Sequence, residues 1–276
     1  MKDELGDRMK NQYENRTRFY LPRRTYTIIR LDGKSFHTYT KHLKKPFDFD
    51  LCKDIDDAII AMLPEIQGVQ FAYTQSDEIS LLLTDFALPT TDAWFDGNIQ
   101  KMVSVAASIL TAEFNQRRYI RRMEEIPDKD MSKMDGVEVG CLMLTGDIAY
   151  FDGRVFTIPD RTEVMNYFIH RNQDCARNSV SMVAQSVFPH KELQGKSTQE
   201  MQEMLMTQKG INWLTYDEAL KNGRLIIKEN YTTQITTTNC TYPMDINVQR
   251  TRWISKPAWK FTQDKEKLCN MIPKYE

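Results

Sequence analysis

The chain is poor in the features that mark secreted, zinc-bound or membrane proteins. Five cysteines (Cys52, Cys141, Cys175, Cys240 and Cys269) are scattered over 276 residues without a Cys-x-x-Cys pair. An odd count at irregular spacing points to free thiols in a reducing compartment, not to a disulfide framework. There are four histidines and no His/Cys cluster. A zinc site is therefore not expected, and any metal should be a hard cation held by oxygen. No apolar run approaches the roughly 20 residues that span a bilayer. The opening residues Met1-Lys2-Asp3-Glu4-Leu5 are acidic and polar, with no apolar stretch of the kind that directs secretion. The expectation is a cytoplasmic protein with no membrane partner. An excess of one charge is also missing: the net charge is −1, which by itself gives no support for nucleic-acid binding.

What is present is ample core material. Hydrophobic residues make up 41% and charged residues 27%, enough for one large domain or two intimate ones. The cations are clustered even though their sum is balanced. Arg117, Arg118, Arg121 and Arg122 form one group and Lys41, Lys44 and Lys45 a second. Arg250, Arg252, Trp253, Lys256, Trp259 and Lys260 interleave charge with aromatic rings. Such clusters are either solvated faces or parts of one cationic side that holds RNA.

Residues 7–18 are polar and read as helical or loose. Residues 24–32 are β-branched and read as a strand, and 50–63 carry apolar residues at helical spacing. Val69, Phe71 and Tyr73 alternate, then Ile79, Leu81 and Leu83, giving a hairpin with Gln75-Ser76-Asp77-Glu78 at its tip. Residues 98–125 form a long amphipathic helix ending in arginines, where cations suit the helix dipole. The polar stretch 127–136 is the best domain-boundary candidate. Phe151-Asp152-Gly153-Arg154-Val155 reads as a turn leading into a strand. The order strand, helix, strand, strand, helix, strand is that of ferredoxin-like βαββαβ sheets, an α+β class with many functions. Beyond residue 159 the pattern turns helical. Residues 162–188 form a long helix, Ser197 to Glu200 fits a capping box, and 217–223 form a short helix. Residues 225–227 form a possible strand, and the periodicity after residue 230 is too weak to assign an element.

The chemistry gathers at two acidic turns. Asp32 ends the first strand in Arg30-Leu31-Asp32-Gly33-Lys34-Ser35-Phe36-His37, and Asp77 lies where the third strand begins. In the βαββαβ order these two strands are central and antiparallel, so the two acids converge at one rim of the sheet. Two carboxylates there can flank a pair of Mg²⁺ ions about 3.5–4 Å apart. Gly33 admits a close backbone approach, and the N–H groups of Lys34 to His37 can face a triphosphate. Ser76 is within reach of a base or phosphate, whereas Glu78 points to the opposite face. Taken singly, an Asp-Gly pair after a strand is ordinarily a turn, His37 is ordinarily a packed or surface residue, and Lys45, Lys101 and Lys209 are surface lysines.

At these residues the sequence resembles the tRNA-His guanylyltransferase family, the 3′-to-5′ nucleotide-adding enzymes. The matching stretches are residues 30–37, the Lys-Lys-Pro at 44–46, residues 73–80 and residues 151–156. Looser matches cover 171–179 and the lysine in 208–212. The resemblance spans about residues 5–225. It implies a polymerase-type palm, with a catalytic core over 5–135, a part at 136–230 that completes the palm and adds helices, and a basic, aromatic tail at 231–276 of no assigned role. It also implies Asp32, the Gly33 carbonyl and Asp77 as ligands of two Mg²⁺ ions, with Asp32 and Asp77 catalytic. Lys34, Ser35, Phe36, His37 and Ser76 would line the nucleotide, with Lys45 and Lys209 near its triphosphate. The substrates implied are ATP, GTP or other nucleoside triphosphates and a tRNA, and the assembly implied is a homotetramer. Family members that act on tRNA-His carry His-Ile-Asn-Asn after the cysteine matching Cys175. This chain has Ala176-Arg177-Asn178-Ser179. That departure points to the subgroup found in bacteria and archaea, which repairs 5′-truncated tRNAs against a template strand. A nucleotidyl cyclase on the same palm remains an alternative. So does a non-catalytic RNA-binding module, although the first strand lacks the exposed aromatics such a module uses.

Overall fold

The computed structural model describes residues 3–124, 147–236 and 245–275. The proposed boundary at 127–136, Cys141 and Cys240 lie outside the described residues. Helix α1 (Glu4–Gln12) buries no side chain. Strand β1 (Tyr26–Gly33) leads through the short α2 (Phe36–Tyr39) to α3 (Phe49–Met62). The Asp48 carboxylate starts α3 by accepting from the Leu51 N–H at 2.8 Å. Strands β2 (Val69–Gln75) and β3 (Glu78–Leu83) precede α4 (Ile99–Glu124) and β4 (Phe151–Ile158). The helices α5 (Arg161–Val187), α6 (His190–Leu193), α7 (Thr198–Lys209) and α8 (Glu218–Asn222) follow. Strands β5 (Arg224–Thr236) and β6 (Asp245–Pro257) and the last helix, α9 (Lys265–Met271), complete the described chain.

The sheet order is β4-β1-β3-β2-β5-β6, and every neighbouring pair is antiparallel. The first four strands follow the βαββαβ order expected from the sequence, and β5 and β6 widen the sheet. Both faces are covered, which is why the central strands β2 and β3 are buried at nearly every position. Ile29, Leu31, Ile79 and Leu81 pack on α3 and α4 with Ile55, Ile59, Ala106 and Phe114. Ile28, Phe71, Tyr73 and Leu82 face α5 and α9 with Val164, Phe168 and Leu268. A smaller cluster joins the end of α5 to α7 through Val183, Ala184, Phe188 and Leu205. The capping box at Ser197 and Glu200 is formed as expected. Among the described residues no helix is long and apolar enough to cross a membrane.

The structure corrects one reading and completes two others. Asp152-Gly153 is not a turn: both residues lie inside β4, opposite Asp32 and Leu31. Gly153 is there because α4 crosses the sheet closely, and an added Cβ would sit 3.3 Å from the Val103 carbonyl oxygen and 3.0 Å from Leu31. Residues after 230, left without an assigned element above, include most of β5 and all of β6, strands of 13 residues each. The arginines at the end of α4 are not all free cations. Arg118 and Arg121 reach back to the buried Asp54 of α3 at 2.8 and 2.6 Å, fastening α3 to α4.

Candidate active site

The site is built where β1 ends and β3 begins. Only Ser76 and Asp77 separate β2 from β3, and Ser76 takes the left-handed conformation with φ 48°. The β1–β3 register ends at Leu31 opposite Ile79. One step outward puts Asp32 beside Glu78, and the next puts Gly33 beside Asp77. On the other flank Asp32 pairs with Asp152 of β4. Asp32 and Asp77, remote along the chain, thus line a single cleft of about 300 Å³ together with Gln75, Ser76 and Glu78. The facing wall comes from one side of α5: Asn178, Ser181, Met182 and Gln185.

Two packing features fix the acids. A Cβ on Gly33 would lie 2.8 Å from Asp77 Oδ2 and 2.3 Å from the Phe36 ring, so only glycine fits between them. Glu78, read from the sequence as pointing to the opposite face, lines the same cleft and is a junction. It accepts a hydrogen bond from Arg30 of β1, and its two carboxylate oxygens accept from Arg171 Nη1 of α5 at 3.2 and 3.0 Å. Both arginines are partly or wholly withdrawn from water. One buried carboxylate therefore ties together the strand carrying Asp32, the strand next to Asp77 and the helix forming the facing wall.

The electrostatics suit a cation. Burial raises the Asp32 pKa above the ordinary carboxylate value, with Arg30 opposing and Glu78 and Asp152 adding to the rise. Burial also raises Asp77. Hydrogen bonds from Ser76 and the backbone oppose this, and the charges of Asp32 and Glu78 push it further up. Negative charges crowded this way are relieved by a bound cation. Among the described residues no three or more His, Cys, Asp or Glu side chains form a self-sufficient metal cage. Asp32 and Asp77 offer a hard cation only part of an oxygen shell, one that water or phosphate oxygens would have to complete.

The remaining residues singled out from the sequence divide. Ser76 lines the acidic cleft. The Lys34 N–H is not available to a phosphate, because it donates to the Tyr150 carbonyl at 2.8 Å, and its ammonium lies 6.0 Å from the Tyr150 ring centre. Ser35 is left-handed at the start of α2. Phe36 is buried against Tyr39, Phe114 and Phe151, so its ring supports the site from the core. His37 is exposed and bonds Thr38 Oγ1 at 3.1 Å. Lys45 donates to the Thr40 carbonyl at 3.0 Å, and Lys209 lies 5.2 Å from the Phe188 ring centre. Neither lysine lines the acidic cleft. The wall of α5 was missed by sequence reasoning. Its residues recur at helical spacing, but so do those of any solvated helix face. Beside the cleft, and sharing Gln75, Ser76, Asn178 and Met182 with it, is an apolar recess formed by Phe47, Leu51, Ile55 and Leu220. Arg224 Nη2 and Gln75 Oε1, both buried, have no protein partner there.

Comparison with known proteins places the chain among relatives of one family. A family model described as tRNAHis guanylyltransferase matches residues 6–159. A bacterial tRNA(His) guanylyltransferase-like protein solved in complex with ATP is 39% identical. That match covers 98% of this chain and 99% of the other, with a TM-score of 0.79. A bacterial tRNA(His) guanylyltransferase-like protein solved with GTP is 36% identical over the same shares, with a TM-score of 0.74. The tRNA(His) guanylyltransferase of Debaryomyces hansenii is 27% identical over 230 residues, which are 79% of this chain and 78% of that protein.

Proposed function

The chain belongs to the tRNA-His guanylyltransferase family of nucleotidyltransferases, and on that premise we propose that it adds nucleotides to the 5′ end of tRNA in the 3′-to-5′ direction, using a template strand. The observation that carries the reading is the convergence of Asp32 and Asp77 on one cleft. In the first step an oxygen of the 5′-monophosphate of a truncated tRNA attacks the α-phosphorus of ATP or GTP and expels pyrophosphate; in the second the 3′-OH of the incoming nucleotide, losing its proton, attacks the capped 5′-phosphorus and expels the nucleoside monophosphate. Phosphoryl transfer of this kind asks the protein mostly for positioning and charge neutralisation. Asp32, Asp77 and the Gly33 carbonyl are the groups that would hold Mg²⁺. Two such ions, when bound, supply counter-charge for the triphosphate and acidity for the attacking hydroxyl.

The chain's own residues do the rest. Ser76 and the N–H groups at the start of α2 face the phosphates, with Lys45 and Lys209 as more distant cations. The apolar recess with its unpartnered Arg224 donor and Gln75 acceptor suits a nucleobase, which offers a flat apolar face and a polar edge. The α5 wall bounds the space where the RNA end must lie. Template choice then comes from base pairing within the RNA, and the protein needs only to hold its shape and phosphates.

The Ala176-Arg177-Asn178-Ser179 run and the higher identity to the bacterial proteins than to the fungal enzyme both favour repair of truncated tRNAs over strict tRNA-His specificity. In this reading residues 5–135 are the catalytic core, 136–230 complete the palm, and the protein works as a cytoplasmic homotetramer. The test is a 5′-extension assay with Mg²⁺ and all four nucleoside triphosphates. A tRNA lacking its first nucleotide should be extended in preference to intact tRNA-His, and Asp32→Ala and Asp77→Ala should each abolish extension while remaining folded. Full activity in either variant refutes the assignment.

A further inference from the structure

A second recess lies at the far end of β2, between the sheet and α9. Its floor is Phe71 of β2 with Leu225 and Ile227 of β5, and Trp259 and Met271 wall it on the helix side. Phe71 and Leu225 are buried members of the core beneath α5 and α9, and Ile227, Trp259 and Met271 pack against that core from its edge. The recess holds about 480 Å³, within the range of small-molecule sites, which are mostly apolar with a few placed polar groups. It shares no lining residue with the acidic cleft. From Gln70 at its rim to Gln75 beside the cleft, β2 covers on the order of 17 Å at about 3.3 Å per residue.

Three lysines and no carboxylate line the recess, and the three differ in what they can offer. Lys256 sits opposite Leu225, on the face of the floor, but it donates to Glu229 at 3.2 Å. Lys228 sits opposite Trp253 on the other face, and its ammonium lies 5.0 Å from that ring centre. Lys267 is exposed and stands over the Trp259 ring at 4.0 Å, with no ion-pair partner among the described residues. Asp264 is engaged elsewhere, capping α9 by accepting from the Lys267 N–H at 3.0 Å. The N–H donors that could read the edge of a nucleobase are spent. The Gln70 amide donates to the Gly68 carbonyl and to Thr84 Oγ1, each at 2.9 Å, and Trp259 Nε1 donates to the Asp264 carbonyl at 3.2 Å. What remains is an aliphatic and aromatic floor with one free ammonium at its mouth. That charge complements a head carrying a single negative charge, whereas a phosphate monoester carries close to two.

We propose that this recess binds a small amphiphilic carboxylate, its aliphatic body on Phe71, Leu225 and Ile227 and its head on Lys267. The site is separate from the acidic cleft and does not rest on the proposed function. The probe is decanoate, added below its micelle concentration to the full chain without nucleotide, metal or RNA, and followed by calorimetry and by tryptophan fluorescence. Decanoate should bind at one site per chain. Octanoate should bind about tenfold more weakly, because each buried methylene is worth about fourfold. Decyltrimethylammonium, with the same body and the opposite charge, should not bind. Lys267→Glu should weaken decanoate by about tenfold or more, since attraction at the head becomes repulsion, and should leave the melting curve unchanged. Trp259→Phe should abolish most of the fluorescence response while the calorimetric signal persists.

Equal affinity for decanoate in the parent and in Lys267→Glu overturns the proposal, and so does comparable binding of the cationic probe. Displacement of decanoate by ATP overturns it by putting the probe in the acidic cleft. Displacement by a short RNA duplex overturns it by making the recess part of the RNA path. A sedimentation coefficient that falls as decanoate is added also overturns it, since the recess is then filled by a second copy of the chain.

Discussion

Gly33→Ala is the sharpest single perturbation of the acidic cleft. The added methyl would meet Phe36 Cδ2 at 2.3 Å, Phe36 Cγ at 2.7 Å and Asp77 Oδ2 at 2.8 Å. Carbon atoms pack best at about 3.5–4.0 Å, so either the ring or the carboxylate must retreat by about 1 Å or more. The ring has little freedom, being 5% exposed and surrounded by Tyr39, Phe114 and Phe151 at centroid distances of 5.0, 5.9 and 5.6 Å. Overpacking of this kind costs about 1–3 kcal/mol, which for a domain of this size lowers Tm by about 2–4 °C per kcal/mol. Asp77 therefore shares the displacement, and a shift of 1 Å at a reacting centre is worth about 10²-fold in rate. Gly195→Ala is the matched control. Its φ of 75° makes alanine strained, by about 1–2 kcal/mol, but nothing lies within 4 Å of the new methyl. Melting curves and 5′-extension rates of the two variants separate the effects: both should lose stability, and Gly33→Ala alone should lose about 10²-fold in rate. Parental activity in Gly33→Ala, or an equal loss in Gly195→Ala, refutes the reasoning.

Other outcomes follow from the same structure. Asp54→Ala removes the shared carboxylate of Arg118 and Arg121, leaving mostly buried Arg118 without a carboxylate and Arg121 with Asp50 alone. It should lower unfolding free energy by about 3–5 kcal/mol in urea titration, while the equivalent change at exposed Asp57 should be silent. Arg171→Lys retains the charge but cannot span both Glu78 oxygens, so kcat should fall while KM for nucleotide changes little; a fall in KM-limited rate alone would argue against a positioning role. Burial pushes the Cys175 thiol up to about 12, so iodoacetamide at pH 8 should leave it unmodified in the native protein, as peptide mass analysis will report. The same shift makes the folded state hold this proton more tightly than the unfolded chain does. The Cys175 contribution to stability is therefore complete below the ordinary thiol pKa and is lost as pH rises from there towards 12.

The parts of the fold legible in the sequence were those whose residues have one job. Ile28 and Ile29 are both buried because β1 is covered on both faces, and that apolar density marks a central strand. The hairpin at Ser76-Asp77 was legible because alternation resumes on each side of it. Legibility failed where one residue type serves two purposes. Gly153 read as a turn but is there to admit α4. Arg118 and Arg121 read as free cations but are partners of Asp54. Strands β5 and β6 were invisible because most of their length packs on no core, and the apolar face of Ile227, Tyr231 and Ile235 against Ile246, Val248 and Ile254 is broken up by Glu229, Arg250 and Arg252. The same holds for the cleft: Asp32, Ser76 and Asp77 could be brought together by topology alone. Asn178, Ser181 and Gln185 could not, because nothing in a polar helical stripe says which cavity it overlooks.

Glu78 has a consequence for motion. A carboxylate clasped from a strand on one side and a helix on the other cannot let the helix slide without dragging the turn that follows β2. If an arriving RNA end pushes the far wall outward, the strain reaches the acids directly and not through a hinge. Loading one side of the groove and adjusting the reactive carboxyls are, mechanically, one movement.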